Sequence, residues 1–60
     1  MALYVWTATF EYMGEQHRVE IYNREQQPAE FEFLNLVRER MRNRIDFDSS
    51  RLRLMSITKR

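Results

Sequence analysis

Residues 11–18 read EYMGEQHR, and Gly14 within them is the only glycine of the chain. Upstream, the even positions Tyr4, Trp6, Ala8, Phe10 and Tyr12 alternate with Val5, Thr7, Thr9 and Glu11. Downstream, His17, Val19 and Ile21 alternate with Arg18, Glu20 and Tyr22. A period of two sustained on both sides of a glycine is the pattern of two half-buried strands joined by a tight turn. A type II′ turn needs positive φ at its first central residue, so Gly14-Glu15 is taken as the two-residue loop. That loop predicts the pairs Tyr12–His17, Glu11–Arg18, Phe10–Val19, Thr9–Glu20, Ala8–Ile21 and Thr7–Tyr22. The apolar pairs then share one face and the ion pair Glu11–Arg18 lies on the other, an agreement that a one-residue slip destroys.

Working outward, NREQQP at 23–28 is a polar connector, and Pro28-Ala29-Glu30 opens a helix with proline and acid in its first turn. The helix is expected from about Pro28 to Arg42 or Asn43, with Asn43 as a left-handed cap. At 100° per residue, Phe33, Leu34, Val37 and Met41 form its apolar face, opposite Glu32, Asn35, Glu39 and Asn43. The loop IDFDSS (45–50) is expected to tuck Ile45 and Phe47 under the sheet, and RLRLMSIT (51–58) reads as a third strand.

These elements predict an α+β fold of order ββαβ: a three-stranded antiparallel sheet, strand order 2-1-3, with one helix packed on one face. A single domain over residues 1–60 is expected. Leu52 and Leu54 face inward by parity, whereas Met55 and Ile57 have the opposite parity. A bulge near Met55 restores Ile57 to the core; otherwise both residues enlarge an exposed patch.

A chain of 60 residues without cysteine has no disulfide and no thiolate metal ligand, and one histidine cannot build a zinc site. It rests on a well-patterned small core, on self-association, or on both. Nothing approaches the roughly 20 apolar residues of a membrane span, and MALYVWTATF lacks the basic leader and cleavage site of a signal peptide. A cytoplasmic product that begins at Met1 and ends at Arg60 is the expectation. Net charge is +1, but residues 1–30 carry Arg18 and Arg24 against five glutamates, and residues 31–60 carry eight cations against four acids. The halves are thus −3 and +4, a mild basic bias toward the C-terminus.

Catalysis has no visible constellation. His17 reads as a hairpin residue beside Tyr12, and Ser49, Ser50 and Ser56 have no neighbouring base. Asp46 and Asp48 lack a third ligand, and one glycine cannot form a phosphate-binding loop. No enzyme activity, metal or cofactor is expected. The arginines at 38, 40, 42 and 44 split into two flanks of the helix, Arg38 and Arg42 on one, Arg40 and Arg44 on the other. They read as a solvated face whose stems cover Phe31 and Leu36, as a phosphate-tracking surface, or as a contact for an acidic protein.

One helix covers one sheet face, so the other is open. That face is expected to carry Val5, Thr7, Thr9, Tyr22, Arg51 and Arg53. Arginine and tyrosine beside β-branched residues suit a protein contact. Sheets that bind RNA present two or three stacking aromatics, and Tyr22 is the only one here. A protein partner is therefore preferred, with nucleic acid and a homodimer through Met55, Ile57 or a strand edge as alternatives.

The tryptophan-bearing first strand VWTATFE, the glutamate-rich hairpin, VEIY, the helix opening at PAE and the Arg-bearing last strand together resemble the small phage-encoded inhibitors of bacterial RNA polymerase. The resemblance spans about residues 5–58. It implies a non-enzymatic protein that blocks a large host enzyme through its sheet, with Arg51 and Arg53 as the positions comparable to that family's binding arginines.

Overall fold

The computed structural model of the chain describes residues 4–60. Strand β1 (Val5–Tyr12) pairs antiparallel with β2 (Glu15–Tyr22), helix α1 (Glu30–Met41) follows, and a 3-10 turn (Ser49–Arg51) leads into β3 (Leu52–Lys59). β3 lies antiparallel on the other side of β1, so the sheet order is β2-β1-β3. This is the expected α+β, ββαβ architecture; Met1–Leu3 of the expected 1–60 domain lie outside the described residues.

The hairpin register differs from the expectation by two residues. The loop is Met13-Gly14, with φ of 49° and 86°, the doubly positive geometry of a type I′ turn. Tyr12 therefore pairs with Glu15, Phe10 with His17, Thr9 with Arg18, Ala8 with Val19, Trp6 with Ile21 and Val5 with Tyr22. Parity is unchanged by a shift of two, which is why the apolar faces agree with both registers. The observed one is favoured because it pairs eight residues of each strand and its turn twists with the strands. A Gly14-Glu15 loop would leave Trp6 opposite the polar connector. The expected Glu11–Arg18 pair does not form; Glu11 instead bonds Arg53 at 3.1 Å.

α1 begins where Glu32 accepts the main-chain N–H of Ala29 at 3.0 Å, with the buried ring of Pro28 just before it. The same carboxylate takes both arms of Arg24, at 2.7 and 3.1 Å. The Arg24 carbonyl in turn accepts the indole N–H of Trp6 at 2.8 Å. This chain of bonds pins the polar connector between sheet and helix. Phe33, Val37 and Met41 are buried against Ala8, Phe10 and Val19, flanked by Leu34, Phe47, Leu52, Leu54 and Ile57. Each large side chain in such a core contributes roughly 1.5–3 kcal/mol.

The helix ends at Met41, and Asn43 does not take the left-handed conformation; among the described non-glycine residues only Met13 and Asn23 have positive φ. The chain unwinds through successive tight turns instead, Arg42 N–H to Glu39 O and Arg44 N–H to Met41 O. Phe47 does pack under the sheet, 5.1 Å from the Tyr12 ring, but Ile45 is fully exposed. The Tyr12 hydroxyl anchors this loop, accepting from Asp48 N–H at 2.9 Å and donating to Asp46 O at 3.2 Å.

β3 carries a bulge: Thr9 pairs with Ser56 but Phe10 with Leu54, leaving Met55 as the extra residue. The bulge reverses the inward set, so Leu52, Leu54 and Ile57 all reach the core. Met55 stays outside, 45% exposed. A homodimer patch built on Met55 and Ile57 together is therefore not present.

Candidate functional site

The sheet face opposite α1 is built in transverse rows, because paired residues on three strands project to the same side. Gln16, Glu11 and Arg53 form the row at the hairpin end. Arg18, Thr9 and Ser56 form the second, and Glu20, Thr7 and Thr58 the third. Tyr22 and Val5 form the fourth, closed by Arg60, whose N–H reaches Val5 O at 2.9 Å.

Three of these rows spend their charges internally. Arg53 holds Glu11 at 3.1 Å. Glu20 takes the Tyr22 hydroxyl at 2.9 Å and lies 3.5 Å from both the Thr7 hydroxyl and Arg60. The hydrogen bond to that carboxylate, with its negative charge, pushes the Tyr22 phenol above its ordinary value and keeps it protonated. The second row is different. Among the described residues, neither the Arg18 guanidinium nor the hydroxyls of Thr9 and Ser56 have a side-chain or main-chain partner.

Twist and the β3 bulge curl the face into a shallow hollow of about 350 Å³ lined by Thr7, Thr9, Arg18, Ser56, Thr58 and Arg60, with Lys59 at its edge. The Lys59 ammonium is turned away, 4.9 Å from the Tyr4 ring centroid and 5.6 Å from that of Trp6. Four hydroxyls and two guanidinium groups thus line one concave surface, and of the two guanidinium groups Arg18 is the one without an ion pair among the described residues.

The residues expected at a partner site divide accordingly. Thr7, Thr9, Tyr22 and Arg53 are on the open face. Val5 has the expected parity but is 4% exposed, so it offers a partner no surface. Arg51 is not on the sheet: it ends the 3-10 turn, beside Asp48 at 3.7 Å. Arg38 lies on α1 and Arg42 caps its C-terminus, and neither joins the face; Arg38 bonds Ser49 Oγ at 3.2 Å and Arg42 pairs with Glu39 at 2.9 Å.

The arginines at 38, 40, 42 and 44 are fasteners rather than a stripe, the last of them beyond the end of α1. Arg44 reaches Glu15 at 3.3 Å and lies over the Tyr12 ring. Arg40 donates to Arg18 O at 2.8 Å. The bond from Asn23 N–H to Tyr4 O directs odd-numbered β2 main-chain groups at β1, so Arg18 O points off the sheet edge. Arg40 therefore blunts that edge against further strand pairing. The stems do not cover Phe31, which stays 64% exposed.

His17 stands opposite Phe10, not Tyr12, and its Nε2 is buried without a partner. Among the described residues no three His, Asp or Glu side chains are grouped to hold a metal ion, and no helix is long and apolar enough to cross a membrane.

Arg18, Ser56, Thr58 and Arg60 were not legible as site residues from the sequence. The register expected from the sequence pairs Arg18 with Glu11, and the bulge that aims Ser56 and Thr58 outward reverses the parity of Leu52 and Leu54. Comparison of the chain with protein-family models, curated proteins and solved structures gives no match.

Proposed function

We propose that this protein is a non-catalytic binding module that docks an acidic protein surface on its open sheet face. The observation that supports this reading is the second row: Arg18 on the edge strand β2, without an ion pair among the described residues, begins a line continued by the hydroxyls of Thr9 and Ser56 across a face that no described element covers. The carboxylates on that face, Glu11 and Glu20, are held in ion pairs. A guanidinium at a desolvated contact is among the strongest anchors a protein surface offers.

In keeping with the resemblance to polymerase inhibitors, the partner class is a host protein, and the action is occlusion of a surface on a larger enzyme. The test is affinity capture from a bacterial host lysate, comparing the native chain with an Arg18→Glu/Arg53→Glu variant whose fold is checked by circular dichroism. The reading expects a protein with an acidic contact surface, retained by the native chain and lost by the variant. A partner held equally by both would contradict it, as would retention of nucleic acid alone.

A further inference from the structure

We infer that the second row is a socket for a single carboxylate, supplied by an aspartate or glutamate side chain of the partner. This inference rests on the docking face proposed above and adds the chemistry of its central contact. Arg18 offers two parallel N–H donors in the planar fork that matches a carboxylate. Thr9, its direct cross-strand neighbour, and Ser56, the next residue in the row, supply hydroxyls that donate to the same oxygens.

Charge decides between anions. The open face bears Arg18, Arg53 and Arg60 against Glu11 and Glu20, and two of those arginines are paired. Arg18 is the one guanidinium of the face without an ion pair among the described residues, and one carboxylate neutralises it. A phosphate dianion would leave an excess negative charge in the row adjoining Glu20, where like charges are unfavourable. Arg40, bonded to Arg18 O, adds a positive field at the edge of the row without entering it.

The probes are capped hexapeptides alternating glycine with aspartate, with asparagine or with phosphoserine, titrated into the isotopically labelled full chain at constant ionic strength. The inference expects saturable shifts at Thr9, Arg18 and Ser56 with the aspartate peptide, including the Arg18 Nε–H. Affinity should fall at least fivefold in Arg18→Gln, stay within twofold in Arg42→Gln, whose pair with Glu39 lies off this face, and vanish for the asparagine peptide. Equal binding by the asparagine peptide, persistence in Arg18→Gln, or tighter binding of the phosphoserine peptide would each overturn the socket. If the aspartate peptide fails while the double charge reversal still abolishes capture, the docking face stands and only the carboxylate socket falls. If the peptide binds as expected and no protein is captured, the socket stands and the host-partner reading falls.

Discussion

Glu11 on β1 and Arg53 on β3 form an ion pair at 3.1 Å across 42 residues of chain. Arg53 thereby holds the carboxylate that the alternative hairpin register would place opposite Arg18. The unpaired guanidinium of the second row is thus a consequence of strand register.

A stability difference between the two arginines follows. Arg18→Gln should leave the urea midpoint within experimental scatter, since among the described residues its guanidinium makes no hydrogen bond or ion pair. Arg53→Gln should lower stability modestly, by about 0.2–1 kcal/mol, the range for exposed pairs. Equilibrium denaturation of both variants checks this; a larger loss for Arg18→Gln would show a hidden partner.

The turn gives a prediction of opposite signs at adjacent residues. A Cβ at Gly14 would meet nothing within 4 Å, so Gly14→Ala acts only through its φ of +86° and should cost roughly 1–2 kcal/mol. Met13→Asn places a residue that tolerates left-handed backbone at φ 49° and creates the Asn-Gly pair that type I′ turns favour. It should raise the melting temperature. A loop at Gly14-Glu15 would give no such gain.

The core predicts both a loss and a gain. Phe33, fully buried at the centre of the cluster, should cost about 3–5 kcal/mol on truncation to alanine, enough to unfold a domain of this size. His17→Phe removes a buried nitrogen that has no partner and should stabilise by about 1 kcal/mol. Thermal melts of the two variants, measured side by side, check the opposite signs.

Acid should loosen the helix start. Hydrogen bonds from Arg24 and from the Ala29 N–H hold the Glu32 carboxyl below its ordinary value near 4.5. A depressed folded-state value means stabilisation that is present above that ordinary value and lost as pH falls through the lower one. Asp48 shares the direction, held down by the Ser50 hydroxyl and N–H. Glu32→Gln should therefore flatten the fall in stability below about pH 4.5. An unchanged acid slope would contradict the role given to the Arg24–Glu32 contact.

The strength of period-two alternation made the strands, their faces and the sheet order readable, as Phe33, Leu34, Val37 and Met41 did for the helix. The register was not, because parity is blind to a shift of two and the opposite-charge pair Glu11–Arg18 pointed to the wrong partner. The bulge at Met55 was visible only as a conflict between Leu54 and Ile57. Arg51 looked like a strand residue because alternation in RLRL continues into the 3-10 turn. Val5 shows a further limit: parity gives the face on which a side chain lies, not whether that part of the face is accessible.

The most direct test of the docking face is the footprint of the captured partner on the isotopically labelled chain. The account predicts amide shifts concentrated at Thr7, Thr9, Arg18, Ser56 and Thr58, with the outer side of α1 unchanged. A footprint centred on Phe31, Leu36 and the helical arginines, with the Arg18 row silent, would contradict it.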